Sequence, residues 1–445
     1  MQQKCRLKIG FSTVGLVETD RISFLMAKTR SKRISIAILL GIGVLVNYFD
    51  RVNLSIAHDA LQGTFGISDV VFGYLLSSYN WTYAAMQLPS GALLDRFGVR
   101  RVMLVAIVLW AVASGLAAIA PTIVFLFAAR FLLGIGEAPT FPANAKAIGL
   151  WFPERERGVP TATFDAAAKL SIGLGTPILG LILLRFGMRA NFATTAVLSL
   201  LYAGLFAWVY RDPRFGETTK DVETPESPAQ EVQLLFLLRQ RKIVGAALGS
   251  GAYNYCFYLL LTWLPVYLQK GLNMTAHNAV LWSAVPWLFA AATGFVIGGV
   301  LVDKLLRRGK NANLVRKTVL VSGTAFGLFV LAPVYLHQPS VVLVCLTLAV
   351  SGLAAASPVV WTLPSLLAPS GGTGRVGGIL NLSNQVAGIT APVVTGYISG
   401  STHSFAGAFL VAGVILLLGI ASYIFLMGRI ERIHLPLANS PLGAH

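Results

Sequence analysis

The sequence predicts an all-α integral membrane protein, with twelve transmembrane helices in two pseudo-symmetric six-helix bundles. Three observations carry this reading. The 445 residues are 55% hydrophobic and only 12% charged, with a mean hydropathy of +0.70, whereas soluble globular proteins carry about 25% charged residues. Apolar runs long enough to cross a hydrocarbon core of about 30 Å recur along the chain. Patterns from the first half of the sequence return in the second.

The runs fall at 34–56, 70–94, 102–120, 122–149, 159–184 and 191–210, and then at 242–268, 279–303, 318–337, 340–366, 375–399 and 405–428. Each is continuously apolar rather than alternating, which selects helices over a β-barrel, since a helix satisfies its own backbone groups in lipid. A basic tail, 1–33, precedes the first run. It holds no apolar core long enough for a signal peptide, and Met26, directly ahead of span one, is a candidate biological start. The longest polar interval, 211–241, mixes both charge signs with Pro225 and Pro228 and reads as a mobile linker. It separates an N-terminal bundle, 34–210, from a C-terminal bundle, 242–428, and 429–445 is left as a C-terminal tail.

Lys and Arg total 35 against 18 acids, a formal charge of +17. Such an excess could indicate nucleic-acid binding, but its placement indicates topology. Basic residues crowd the tail and every second loop, among them Arg96, Arg100, Arg101, Arg155, Arg157, Arg239, Arg241, Arg307, Arg308 and Arg375. The opposite side has Arg185, Arg189 and Lys270. By the positive-inside rule both termini are cytoplasmic, in a multi-pass cell membrane protein, the inner membrane in a bacterium.

Gly91-Ala-Leu-Leu-Asp95-Arg96 after span two is matched by Gly299-Val-Leu-Val-Asp303-Lys304 after span eight, and Gly173 with Pro177 in span five by Gly388 with Pro392 in span eleven. Two matches in corresponding helices argue for duplication. Parallel repeats with a site between them near the midplane belong to transporters that rock one half against the other.

The segment Gly91-Ala-Leu-Leu-Asp95-Arg96-Phe-Gly98-Val-Arg100-Arg101 resembles the loop signature of the major facilitator superfamily. Within it, Asn47-Tyr-Phe-Asp50-Arg51-Val-Asn53, Trp81-Thr82-Tyr83 and Arg130-Phe-Leu-Leu-Gly134-Ile-Gly136-Glu137-Ala138-Pro139 resemble the anion:cation symporters. The run continues through Trp151-Phe-Pro153 to Arg157-Gly158, and Leu261-Thr-Trp263-Leu-Pro265-Val-Tyr267-Leu268 adds to the likeness. The resemblance implies a proton-coupled symporter of organic anions, such as the sugar-acid carriers of galactonate or glucarate.

Seven ionisable residues lie within the spans: Asp50, Arg51, Arg130, Glu137, Lys146, Asp165 and Lys169. A charge at the bilayer centre costs at least about 2.5 kcal/mol, so each needs a cavity, a partner or the interface. Arg51 offers a planar fork that matches a carboxylate, though an internal ion pair with Asp50 or Glu137 is equally compatible with its position. Arg130, Glu137 and Asn144 recur at intervals of seven, along one face. An acid whose protonation responds to a moving arginine is a proton-coupling device. The family resemblance implies that Asp50 and Glu137 take the protons, Arg51 anchors substrate and Arg130 exchanges between the acids. Asp165 and Lys169 form an i,i+4 pair whose default is mutual neutralisation. If Lys169 instead faces the cavity, it suits a substrate with two carboxylates. Lys146 can snorkel to the basic end.

For the uncharged lining, Tyr79 and Tyr83 are one turn apart, as are Asn254 and Tyr258, while Trp361 and Asn381 lie in spans ten and eleven. Interfacial belts or helix–helix hydrogen bonds would explain them too; the family resemblance favours Tyr83, Trp361 and Asn381 as substrate-binding. Asp95, Arg96, Arg100 and Arg101, with repeat mates Asp303 and Lys304, form a candidate gate cluster at the basic end.

Other classes fit poorly. The six histidines fall in loops or tails and the three cysteines make no metal or disulfide spacing, so the chain reads as no enzyme, with no metal and no cofactor beyond protons as coupling ion. An anion channel would favour rings of charge in an oligomer over single buried charges in a duplicated chain. The reading is therefore a monomeric carrier in a lipid bilayer, with no nucleic-acid partner. Its substrate is a hexonate or hexarate, or alternatively an aromatic or small dicarboxylic acid.

Overall fold

The computed structural model describes residues 14–152, 158–213, 233–369 and 372–433. Within that range the side chains before residue 32, Met26 among them, are left out of the description. Residues 1–13 lie outside the described residues. So do Arg155, Arg157, most of the linker with Pro225 and Pro228, and the tail from 434. Every described regular element is helical, and twelve passes match the twelve apolar runs.

The first pass, α1 (Val14–Ser55), continues upstream of its apolar run. Next, α2 (69–97) and α3 (99–118) form one helical trace broken at Gly98, and α5 (158–186) and α6 (188–209) are joined in the same way at Gly187. With φ of 79° and 80°, these two glycines occupy a region that favours glycine, so each turn needs almost no loop. Between these pairs, α4 (Ile123–Trp151) is interrupted after Glu137, where Pro139 lacks the N–H that would continue the ladder. The second half comprises α7 (241–271), α8 (Ala276–Arg307), α9 (Ala312–Tyr335), α10 (Pro339–Leu367), α11 (Thr373–Thr402) and α12 (Ala406–Leu426).

By length and apolarity alone, eight helical stretches among the described residues qualify as membrane spans. One of them holds both α5 and α6. The passes that fall short are α2, α7 and α11. Each carries polar side chains at mid-depth, including Asn80, Asn254 and Asn384.

The bundles meet along two seams. At one, α2 abuts α11: a Cβ on Gly73 would sit 2.6 Å from the Pro392 carbonyl oxygen, and one on Gly396 2.6 Å from the Asp69 carbonyl oxygen. At the other, α5 abuts α8, with Gly173 against Leu288 and Gly180 against Val280. The internal repeat exchanges these seams, since it maps α5 onto α11 and α2 onto α8. Both run from mid-depth towards the end holding the short helix His58–Phe65, here termed the far end, opposite the basic end.

Candidate functional site

Among the described residues, the charged side chains buried at mid-depth belong to the first bundle. Gly134 and Gly136 bring α4 against its neighbours: a side chain on Gly134 would collide with Tyr79 and Thr82 of α2, and one on Gly136 with the Trp110 backbone of α3. Thr82 Oγ1 also donates to the Phe131 carbonyl at 2.8 Å. This packing places Glu137, wholly buried, beside α1, where Arg51 Nε donates to Oε2 at 3.3 Å. The Arg51 guanidinium is 4.4, 4.8 and 5.3 Å from the ring centroids of Tyr48, Tyr79 and Tyr83, a cage of cation–π contacts in low dielectric. Among the described residues, Arg51 Nη2 and Glu137 Oε1 have no hydrogen-bond partner. One edge of the fork is therefore engaged and another donor is free.

Asp50 faces elsewhere. Its carboxylate accepts from Ser114 Oγ of α3 at 2.5 Å and Ser199 Oγ of α6 at 3.4 Å, while its backbone carbonyl accepts from Arg130 Nη1 at 3.1 Å. Arg130 also lies 5.5 Å from the Tyr79 ring. Both acids thus flank Arg130, and in this state neither forms an ion pair with it among the described residues.

Lys169 is buried and bridges the bundles. Its Nζ is 2.6 Å from Asp165 Oδ2 and donates to Ser357 Oγ of α10 at 3.2 Å, while Ser357 Oγ donates to Asp165 Oδ1 at 3.3 Å. The pair is mutually neutralised but not isolated, because Asp165 is close enough to Tyr48 to interact electrostatically.

The second bundle supplies neutral polar groups. Tyr258 is buried against Gly388 and lies within electrostatic reach of Arg51 and Glu137. Asn254 donates to the Ser250 carbonyl at 3.0 Å, and Asn381 is half-buried with no side-chain hydrogen bond among the described residues. Trp361 is 48% exposed and stacks across the bundles on Phe141, with centroids 6.2 Å apart and planes at 7°.

At the basic end, Asp95 pairs with Lys146 Nζ at 2.6 Å, and the same ammonium donates to the Leu94 carbonyl at 2.9 Å. Sequence reasoning gave Lys146 only an interfacial role; its partner lies 51 positions upstream, beyond helical periodicity. Arg100 donates to the Ala207 carbonyl at 2.9 Å, and Arg96 covers Phe97. Arg101, Asp303 and Lys304 are exposed. None of these six gate candidates forms a cross-bundle ion pair among the described residues, whereas at the far end Ser399 donates to Asp69 at 2.8 Å and Gln269 to Asp59 at 2.6 Å across the bundles.

Three further residues escaped the sequence reading. Tyr48 covers Arg51, and Ser357 completes the Lys169 bridge. Asn47, one turn before Arg51, is wholly buried with both amide atoms lacking a hydrogen-bond partner among the described residues. The i,i+4 spacing from Arg51 was the available signal for Asn47.

Residues 40–392 match the family model described as Major Facilitator Superfamily. The chain is 36% identical to an uncharacterized transporter, YybO, of Bacillus subtilis, over 93% of this chain and 99% of that protein. It is 30% identical to a probable galactarate/D-glucarate transporter, GudP, of the same species, covering 91% and 94%. It is 31% identical to a D-galactonate transporter of Escherichia coli O6:H1, covering 92% and 98%. Among solved structures, a bacterial homologue of the human lysosomal transporter Spinster, inward-facing and unoccupied, superposes with a TM-score of 0.72 at 16% identity, covering 89% of this chain and 97% of that one. That likeness concerns the fold.

Proposed function

The chain belongs to the major facilitator superfamily and is a multi-pass membrane transporter, not an enzyme; from that premise we propose that it carries a sugar acid, a hexonate or hexarate, together with protons by alternating access. The observation that carries this reading is the half-engaged Arg51. A buried guanidinium with a free Nη2 donor receives a carboxylate through a charge-assisted bond. Asn47 beside it and Tyr83, Tyr258, Asn254, Asn381 and Trp361 around it offer donors, acceptors and ring faces to a polyhydroxylated chain. The galactarate, glucarate and galactonate carriers among its relatives support the same substrate class.

Charge balance supports proton coupling. At mid-depth Arg51, Arg130 and Lys169 are matched by Asp50, Glu137 and Asp165. Each proton taken by Asp50 or Glu137 leaves one positive charge uncompensated, which one substrate carboxylate neutralises. In this scheme Glu137 and the substrate are rivals for Arg51, and protonation of Glu137 decides between them. Arg130, between the two acids, transmits the state of one to the other. Lys169, released from Asp165, would serve the second carboxylate of a hexarate.

The membrane is the cell, or inner, membrane, with the basic end and both termini cytoplasmic and the 211–241 segment as a cytoplasmic tether between the bundles. Asp95, Arg96, Arg100, Arg101, Asp303 and Lys304 would then gate the cytoplasmic mouth, and one chain suffices. Reconstituted vesicles test the proposal. Labelled galactonate or glucarate should accumulate under an inwardly directed proton gradient, collapse with a protonophore, and show saturable counterflow. Uptake indifferent to the gradient would overturn proton coupling, and flux without counterflow would indicate an anion channel.

A further inference from the structure

The histidine that opens the short helix His58–Phe65 is almost wholly buried at the far-end seam. Its Nδ1 lies 2.8 Å from Asp59 Oδ1 and its Nε2 3.0 Å from Asp69 Oδ1. Phe72 packs edge-on against the ring at 4.7 Å, and Trp263 of α7 lies at 6.2 Å. Each acid also reaches the second bundle: Asp69 Oδ2 accepts from Ser399 Oγ of α11 at 2.8 Å, and Asp59 Oδ2 from Gln269 Nε2 of α7 at 2.6 Å. Lys270 Nζ stands 4.0 Å from Asp59 Oδ1 and donates to Gln62 at 3.4 Å. The chain of contacts therefore runs from α11 through Asp69, His58 and Asp59 to α7.

A neutral imidazole has one N–H, so it can donate to only one of two flanking carboxylates. An imidazolium satisfies both. We propose that His58 is a proton-operated latch: protonated, it locks the two bundles together at the far end, and its deprotonation loosens that seal. The proposal rests on alternating access, not on the identity of the substrate or of the midplane proton sites.

The electrostatics agree with the geometry. Burial opposes the charged ring, but the bonds to Asp59 and then Asp69 outweigh it, and the His58 pKa lies above its ordinary value. The same contact is the main cause holding the Asp69 carboxyl down to about 2 and Asp59 below the usual carboxylate range. Facing the cluster are Lys270 from α7 and, across a cavity of about 340 Å³ that borders Asp69, His337 and His403. Opening the seam would strip Asp59 and Asp69 of their partners on α7 and α11 and hydrate the ring, returning it towards about 6.5. The closed seam therefore binds the proton more tightly. Its contribution is complete below the open-state pKa and is lost as pH rises through the closed-state value, at no more than about tenfold in the closed-to-open ratio per pH unit.

Spin labels on Thr64 and Ser401, exposed on opposite sides of the seam, report closure by their distance in substrate-free full-length protein in lipid nanodiscs. An Asp50→Asn/Glu137→Gln background silences the two proposed midplane proton sites and leaves Asp165 paired with Lys169. The short-distance population should decline between pH 5.5 and 9 with a midpoint above about 6.5. His58→Gln should abolish that pH dependence. Asp69→Asn, with the same elution profile as its parent, should lower the midpoint. A pH response unchanged by His58→Gln, a midpoint unmoved by Asp69→Asn, or a flat response in the parent would overturn the latch. The readout requires no substrate, so its failure is separable from a failure of the sugar-acid reading.

Discussion

If Glu137 and the substrate are rivals for Arg51 as proposed, replacing Glu137 by glutamine should separate substrate binding from coupling. Arg51 Nε donates to Glu137 Oε2 at 3.3 Å, so under the proposal an arriving carboxylate competes with an internal one. A charge-assisted hydrogen bond contributes about 1.5–3 kcal/mol, and one to a neutral amide about 0.5–1.5. The relief of competition is then about 1–1.5 kcal/mol, or roughly five- to tenfold in affinity. At alkaline pH, where the proposed scheme has a deprotonated Glu137 rival the substrate, Glu137→Gln should bind labelled sugar acid more tightly by that factor. The native protein should lose affinity as pH rises, and the variant should show a flatter profile. In vesicles the variant should no longer accumulate substrate uphill under a pH gradient, while exchange of bound for labelled substrate survives because it needs no proton cycle. Intact pH-driven accumulation in Glu137→Gln would refute the reasoning and move coupling to Asp50 alone or to another ion.

Arg51→Gln should remove the proposed charge-assisted partner of the substrate carboxylate, worth about 1.5–3 kcal/mol; equilibrium binding should weaken roughly 10- to 150-fold, and unchanged affinity would dismiss Arg51 as anchor. Lys169→Gln should cost a dicarboxylate more than its monocarboxylate analogue, because only the former has a second anion to pair; equal losses would assign Lys169 wholly to Asp165 and Ser357. Gly396→Val places a side chain against the Asp69 carbonyl, where a Cβ alone approaches to 2.6 Å. It should pry the far-end seam open, raising reaction of a far-end cysteine with a membrane-impermeant thiol reagent and slowing turnover; unchanged reactivity would mean the seam gives way elsewhere.

The transmembrane passes were legible because lipid imposes a length and a composition on each one. Even α2, α7 and α11, whose polar side chains leave them short of an apolarity threshold, stood out, each with basic charge at one end. Less legible were the turns at Gly98 and Gly187, where the polar residues indicated loops and the backbone stays helical on both sides. Periodicity sees only neighbours on one helix. It drew Arg130, Glu137 and Asn144 into one stripe, but the break at Pro139 bends that stripe, and the partner Glu137 finds is Arg51, 86 positions away. Lys169 with Asp165 was readable from its i,i+4 spacing, whereas Ser357, 188 positions on, was not. His58 was read as one more loop histidine, because nothing local announces that Asp69 and a second bundle close around it.

The two glycine-lined seams have a mechanical consequence. Where side chains interlock like gear teeth, one body can move over another only by first disengaging, and the barrier grows with every knob withdrawn. At Gly73, Gly396 and Gly180 backbone meets its neighbour with no side chain on one side, so under the proposed alternating access these contacts would serve as a plain bearing on which the halves roll about mid-depth. The temperature dependence of turnover should then reflect the polar fastenings at the rim, such as those of Asp59 and Asp69, more than any repacking of the interior.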